Sequence, residues 1–329
     1  MLLATRGKWL KVLVTGACGF IGSHLVNHLK EKDHFVKAVD IRQESECYMR
    51  LRADEFHHAD LRNSSSCVLL TKDVDCVYHL AANMGGIGYI TSVGAEIMRD
   101  NTLMNINVLE ACRENCVGTI FYSSSACVYP TYRQQKPTVD PLKESDARPA
   151  EPNEYYGWEK LYMEKFMEAC QRDFGSGIRI ARFHNIYGPY GAYKGGKEKA
   201  PAALCRKAAL AKDGGLIEVW GDGKQTRSFL YIDDCLRGVD MLIQSDHDKP
   251  LNIGSDRLVT IDELAQMIIK ISGKNLKIKH DLSKPQGVRG RNADLTLIKK
   301  VLGWEPKVSL EEGLEKTYKW ILQQVSNER

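Results

Sequence analysis

Three short clusters hold the side chains best suited to chemistry. Gly16-x-x-Gly19-x-x-Gly22 follows the apolar run Val12-Leu13-Val14 and precedes an amphipathic segment, Ser23 to Lys32. Ser123-Ser124-Ser125 ends another apolar run, and Tyr156-x-x-x-Lys160 sits in a stretch with helical spacing. The glycines suit a strand–turn–helix: one for the tight turn, one to let backbone approach a pyrophosphate, one for close packing of helix on strand. The helix behind them offers its first N–H groups and its dipole to an anion. Asp40 ends the next apolar run, Phe35 to Val39, 18 residues after Gly22, where a carboxylate takes the ribose hydroxyls of a dinucleotide. A dinucleotide site is therefore expected on Gly16, Gly19, Phe20, Ile21, Gly22 and Asp40. A carboxylate at that place repels a 2′-phosphate, which favours NAD over NADP, and Arg42 weakens the preference slightly.

Two more polar run ends extend this site. Asp60-Leu61 is placed either for an adenine edge or as a helix cap, and the residues alone do not separate the two. Leu80-Ala81-Ala82 supplies small side chains where the cofactor passes close to backbone. At i and i+4 on a helix, Tyr156 and Lys160 share a face. A nearby ammonium and a nicotinamide cation would both pull the phenol down from a pKa of ~10, making it a usable base near neutrality. Such a pair occurs in many helices by accident. After a dinucleotide loop and a serine-rich strand end, it reads as a hydride-transfer site, with Ser125 holding the same hydroxyl as Tyr156.

The elements that must position these groups alternate. Strands are expected at Lys11–Thr15, Phe35–Asp40, Glu55–Asp60, Cys76–Leu80, Thr119–Ser123 and Ile178–Arg182. Helices are expected at Ser23–Lys32, about Ser64–Lys72, Asn101–Asn115 and Glu154–Phe174. This rhythm predicts an α/β fold, a doubly wound parallel sheet of the Rossmann kind, with ligands at the carboxyl ends of the strands. After Arg182 the rhythm breaks. Asn185–Gly196 is a Gly-, Tyr- and Pro-rich loop, and Ala200–Ala211 a helix. Leu216–Trp220, a turn at Gly221–Lys224, and Arg227–Tyr231 read as a hairpin-like or paired-strand unit. Helices follow at Asp233–Ser245, at Thr260–Ile271 (capped by Thr260 with Glu263) and at Leu310–Gln324. Residues 1–186, with 228–246 returning to them, are expected to form the NAD-binding part, and 187–329 a smaller mixed α/β part across a cleft.

Bulk properties narrow the partners. The 329 residues are 43% hydrophobic and 27% charged with a net charge of +4, an ordinary globular composition with no basic run fit for nucleic acid. The N-terminal MLLATRGKWLK reads as neither leader nor membrane span, and no later stretch approaches a spanning length. Ten cysteines are scattered without a C-x-x-C, so free, mostly buried thiols in a reducing, cytoplasmic setting are expected. In EFHHADL the acids and histidines around His57-His58 alternate across faces, which suits a strand end rather than a metal site.

Taken together, the glycine loop, Asp40, Ser125 and the Tyr156/Lys160 pair resemble the extended short-chain dehydrogenase/reductase family over essentially the whole chain. That resemblance implies action on a nucleotide sugar, with NAD(P) in the N-terminal part and the sugar nucleotide in the C-terminal part. Members that are 4,6-dehydratases carry a glutamate where Cys127 stands. A thiol is poor at protonating a leaving hydroxyl but suits proton abstraction from a carbon beside a ketone, since nearby cations lower its pKa. The ordered stretches AANMGGIGYI (81–90), SSSACVYP (123–130), EYYGWEK (154–160), RFHNIYGP (182–189), GGKEKAPAALCRK (195–207), WGDGKQTRSFLYIDD (220–234) and GVRGRN (287–292) resemble a branch of this family that inverts two ring carbons of GDP-mannose. The resemblance implies Tyr156 and Lys160 for hydride transfer, Cys127 and Lys199 as an acid/base pair, and a homodimer. It also implies Gly85, Ser125, Ala126, Asn185, Glu198, Ala200, Lys207, Gln225, Thr226, Arg227, Ser228 and Arg291 around the GDP-sugar. Arg227 and Arg291 make physical sense as diphosphate forks. Lys197 is the weaker of the two lysines in the KEK run. Asn83 and Cys18 depart from the pattern, Asn83 standing where an acid is expected. The rival within the family is a GDP-4-keto-6-deoxy-mannose epimerase/reductase, which consumes NADPH and uses a histidine acid; a plain nucleotide-sugar 4-epimerase is another. A sensor or scaffold that had lost catalysis would lack the Tyr156/Lys160 pair.

Overall fold

The computed structural model describes residues 9–328; most of the N-terminal stretch read above as neither leader nor span, and residue 329, lie outside the described residues. In chain order the elements are β1 (Lys11–Thr15), α1 (Phe20–Lys30), β2 (Phe35–Asp40), β3 (Glu55–His58), α2 (Ser64–Thr71), β4 (Cys76–His79), α3 (Ile87–Ser92), α4 (Gly94–Glu114), β5 (Thr119–Ser125), α5 (Glu154–Phe174) and β6 (Ile178–Phe183). They continue with β7 (Ile186–Tyr187), α6 (Ala200–Leu210), β8 (Leu216–Trp220), β9 (Thr226–Ser228), β10 (Leu230–Tyr231), α7 (Ile232–Ile243) and β11 (Leu251–Ile253). The last are β12 (Leu258–Thr260), α8 (Ile261–Ser272), β13 (Lys277–Asp281), β14 (Gly290–Arg291), α9 (Thr296–Leu302) and α10 (Leu310–Asn327).

Seven strands make one parallel sheet in the order β11-β6-β5-β4-β1-β2-β3. Alternate side chains along each strand feed two cores: Val12 and Val14 face one, Leu13 the other, as the strand period of two requires. The first core runs on without a break into α6, α7, α8 and α10, so the C-terminal elements share it. Strand order reverses between β1 and β4, and a crevice opens there at the carboxyl ends. At the turn after β1, a Cβ on Gly22 would collide with the Gly16 carbonyl, which is the close-packing role expected of the third glycine.

Several expectations are corrected. A seventh strand, β11, joins the sheet beside β6; its three-residue run, LNI, is too short to carry a period. Helix α4 begins at Gly94, two turns before Asn101, and α3 and α9 were not expected. The expected hairpin does not form. Strand β8 pairs in parallel with β13, while β9 pairs with β12 and β14, because distant partners satisfy both strands' backbone groups. Strand β5 runs on to Ser125, in register with Phe183. The expectation of free thiols throughout also fails: Cys18 and Cys47 are disulfide-bonded, with Cα atoms 4.8 Å apart. Their separation of 29 residues gives no spacing signal, and only the return of the chain past the β2 end brings them together. Eight cysteines remain free, six of them buried. Among the described residues no helix is long and apolar enough to cross a membrane.

Candidate functional site

Two clefts meet at the carboxyl edge of the sheet. The larger, about 750 Å³, is lined by Gly16, Gly19, Phe20, Ile21, Gly22, Asp40, Asp60, Leu61, Leu80, Ala81, Ala82 and Tyr156, within the usual range for a small-molecule site. Helix α1 opens on it at Gly19 with no side chain capping the helix and no acid in its first turn, which leaves first-turn donors and the dipole for an outside anion. Asp40, at the end of β2, accepts the Cys18 N–H and the Arg42 N–H, both at 2.9 Å, on different oxygens. Each oxygen keeps a lone pair for a ribose hydroxyl. Asp60 instead grips its neighbour: its carboxylate accepts from Arg62 Nε and Nη2 at 3.0 and 2.7 Å, and Arg62 also reaches Asp100. Under the cleft, Thr15 Oγ1 accepts the N–H groups of Leu80 and Ala81 and lies 2.8 Å from His79 Nδ1. Burial lowers the His79 pKa to about 4, so its imidazole is neutral under the cleft.

Tyr156, from α5, closes the inner end of this cleft, with Ser125 in hydrogen-bond reach of its phenol. Lys160 points below it: its Nζ donates to Ser123 O at 3.0 Å and stands 5.8 Å from the Tyr156 ring centroid. Burial pushes the phenol pKa up, reinforced by Cys127 and Glu159. The lowering expected from Lys160 is absent in the protein alone, because its ammonium is turned onto a strand carbonyl. Lys160 itself lines neither cleft; it holds the β5 end beneath the phenol.

The second cleft, about 350 Å³, joins the first at Ser125, Tyr156, Asn185 and Lys199. It brings together Gly85, Ala126, Cys127, Glu198, Ala200, Lys207, Gln225, Arg227 and Arg291, from segments spread over 200 residues. Thr226 and Ser228 are not among its walls. Strand β9 alternates, so Gln225, Arg227 and Phe229 face the cleft while Thr226 donates to Pro137 O and Ser228 is buried behind. Arg227 is pinned through Nη1 to Thr226 O and through Nη2 to Val288 O, both at 2.7 Å. Burial and the neighbouring Arg291 lower its pKa to about 9. Lys197 stands over the Tyr89 ring rather than at Cys127.

Cys127 sits on the 3-10 turn Ala126–Val128, just past β5. A Cβ at Gly157 would collide with the Cys127 carbonyl, so α5 presses against this turn and sets Tyr156 beside the thiol. Burial would raise the thiol pKa, but the Arg291 charge, hydrogen bonds from Ser125 and Arg291, and the Lys199 ammonium outweigh it and leave it lowered. Arg291 Nη1 is 3.4 Å from Cys127 Sγ. Lys199 stands at the N-cap position of α6 and lines the same cleft as Cys127. Desolvation by the surrounding walls lowers its pKa, with Cys127 opposing. A thiol that ionises early and an amine that deprotonates early thus face one cavity next to a phenol. Sequence reasoning missed Gly157, Trp220 and the α3 wall (Ile87, Gly88, Ile90). Each lies in a stretch that carries the resemblance, but none was singled out as a site residue.

This geometry has relatives. The chain belongs to the NAD dependent epimerase/dehydratase family, whose profile matches residues 12–254; its cofactor is NAD, and the Asp40 donor set and uncapped α1 fit it. The chain is similar to GDP-mannose 3,5-epimerase of Arabidopsis thaliana, 49% identical over 97% of this chain and 84% of that one. It is similar also to GDP-mannose 3,5-epimerase 1 of Oryza sativa subsp. indica, 48% identical over the same shares. Among solved structures, UDP-glucose 4-epimerase of Thermotoga maritima with UDP-glucose superposes with a TM-score of 0.87 at 26% identity, covering 96% of this chain and 100% of that one.

Proposed function

We propose that the protein epimerises GDP-D-mannose at C3 and C5 through a 4-keto sugar, giving GDP-L-galactose, GDP-L-gulose (C5 only) or both. The carrying observation is the lowered thiol of Cys127 facing Lys199 beside Tyr156 in a cationic cleft. The similarity to the Arabidopsis and rice enzymes supports it. When bound, NAD would supply the reversible oxidation at C4 and a cationic ring that would lower the Tyr156 phenol. Tyr156 takes the C4 hydroxyl proton with Ser125 orienting that oxygen, and Lys160 holds the strand end under both. The ketone acidifies the neighbouring C–H bonds; Cys127 removes one face's proton and Lys199 donates on the other. Arg227 and Lys207 line the place for the diphosphate. This reading would need no external reductant, unlike the epimerase/reductase reading, and among the described residues that line the cleft there is no histidine.

Residues 1–186 with 228–246 would serve the cofactor and 187–329 the GDP-sugar; a cytoplasmic setting is supported by the eight free cysteines and opposed only by the Cys18–Cys47 bond. A homodimer through α4 and α5 is supported by Tyr155, Trp158 and Tyr162, exposed at i, i+3 and i+7 of α5, and by Leu103 of α4. The test is incubation with GDP-mannose in D₂O. Products resolved by NMR should carry deuterium at C3 and C5 without added NADPH, and Cys127→Ser should suppress that label. Full labelling by Cys127→Ser would sink the assignment.

A further inference from the structure

Gln134 lies outside both clefts, yet it ties their most charged wall together. It ends the 3-10 turn Thr131–Gln134 and is 1% exposed. Its Nε2 donates to Tyr129 O and Pro130 O at 3.1 and 3.2 Å, gripping the chain just after Cys127. Its Oε1 accepts Arg291 Nε at 2.6 Å, and its own carbonyl accepts Arg289 N at 2.9 Å. One amide therefore clamps two segments 157 residues apart. With Nε occupied, the guanidinium fork is left with only its Nη groups to aim. Nη1 meets Cys127 Sγ, and Nη2 is buried with no hydrogen-bond partner among the described residues.

We propose that Gln134 is a positioning residue that fixes Arg291 so that one arm of its guanidinium faces the Cys127 thiol and the other faces the substrate. Its value to the reaction rests on the function proposed above; its effect on the thiol does not. The chemistry asks for a carboxamide. Two carbonyls need a donor and the guanidinium an acceptor, and only Gln at this length supplies both without a charge. A glutamate of the same shape would still hold Arg291, but it would face two carbonyls with lone pairs and spend the guanidinium's field on a carboxylate. The other ionisable groups facing the thiol are Lys199 from the start of α6, Arg227 from β9 and Tyr156 from α5. None of them is hydrogen-bonded to Gln134, whose side chain bonds Tyr129, Pro130 and Arg291, so changes at 134 should reach the thiol through Arg291.

Alkylation of Cys127 by iodoacetamide, followed by peptide mass spectrometry across pH, reads the thiolate without substrate or turnover. In Gln134→Met the rate near neutral pH should fall about tenfold and its midpoint rise by about one pH unit. Gln134→Glu, which keeps the shape and guards against misfolding of the first variant, should move it at least as far. In an Arg291→Met background neither change should shift it further. An unmoved alkylation midpoint in folded Gln134→Met and Gln134→Glu overturns the proposal, as does an equal shift with Arg291 removed. If the midpoint moves while deuterium labelling of GDP-mannose does not, Gln134 keeps its role and the role of Cys127 in epimerisation fails.

Discussion

The two clefts share Ser125, Tyr156 and Lys199 but are built by opposite means. The cofactor cleft is mostly backbone and small side chains at consecutive strand ends, over a floor where Thr15, His79, Asn105 and Glu159 satisfy one another. Its acids are engaged: Asp40 by backbone N–H groups, Asp60 by Arg62. The second cleft is assembled from side chains of distant segments, and its cations are poorly matched by acids, with Arg227 held only by carbonyls and Arg291 by an amide and a thiol. Two arginines without a carboxylate partner among the described residues suit a doubly charged ligand and an ionised thiol. A neutral, backbone-lined wall suits a ligand held by shape and dipole. The cofactor side should therefore tolerate changes on the other side, and chemistry should be concentrated where the charges are unpaired.

The strongest break of that contrast is Cys127→Ala, which touches only the second cleft. Turnover should fall by about 10²–10⁴, the span typical of a lost acid/base group, while NAD affinity by titration calorimetry stays within about twofold. A matching loss of NAD affinity would mean that the clefts are one energetic unit.

Next is the layer behind them. Arg182 and Glu164 form a buried pair, with Arg182 Nε and Nη2 at 2.9 and 2.7 Å from the carboxylate. Ser124 donates to the same Glu164 at 2.5 Å, and Arg182 Nη1 donates to the Tyr129 hydroxyl at 3.2 Å. This network holds the strand end that carries Ser125 from below and the turn after Cys127 from the side. Arg182→Leu leaves Glu164 buried without its cation and should cost about 3–5 kcal/mol in urea unfolding. A loss below ~1 kcal/mol would show that the strand end is held by packing alone.

These regions differ just as much in how far the sequence reveals them. Gly16 to Gly22, Asp40 and Leu80 to Ala82 are legible as cleft walls because one local element carries each, so spacing is geometry. Cys127, Lys199, Arg227 and Arg291 could be named only through resemblance. Their meeting depends on β9, β12 and β14 pairing across the chain, where the sequence suggested a local hairpin instead. Thr226 and Ser228 lie off the cleft lining for the same reason: without knowing which face of β9 met the cleft, a four-residue run could not be split into lining and backing. Cys18 and Cys47, and the clamp at Gln134, lie beyond any periodic signal.

Acid should loosen both clefts together, since each stands on a buried histidine. His79 Nε2 is 2.8 Å from Asn105 Oδ1, which itself must accept because Asn105 Nδ2 serves Glu159. That fixes His79 as the neutral Nε2–H form. Burial first, then Lys160, lowers its pKa to about 4; burial likewise lowers that of His184 to about 3. The unfolded chain binds these protons near pH 6.5 and the folded one does not, so stability is full above that value and declines as pH falls toward the folded pKa. Between about pH 7 and pH 5 each histidine should cost about 2 kcal/mol. Chemical unfolding at the two pH values measures it, and His79→Gln should remove roughly half of the slope. A slope unchanged by that substitution would place the acid sensitivity elsewhere.

The smallest expected effect addresses the one ambiguity inside the legible cleft. Asp60 lines the cofactor cleft, which suits an adenine edge, but its oxygens are already on Arg62. The pair is partly exposed, with side-chain accessibilities of 36% and 40%. Exposed pairs contribute about 0.2–1 kcal/mol, and Asp60→Asn keeps the shape and half of the acceptor capacity. If Asp60 serves mainly to hold Arg62 against Asp100, the substitution should weaken NAD binding by less than about fivefold and the residual effect should shrink in high salt. If instead an oxygen of Asp60 takes a proton of the base or ribose in a water-poor contact, replacing it should cost more than tenfold and be insensitive to salt. The occupied carboxylate favours the first outcome. On that outcome Asp60 would be part of the rim that keeps the cleft's shape, and Asp40 the acid expected to read the cofactor.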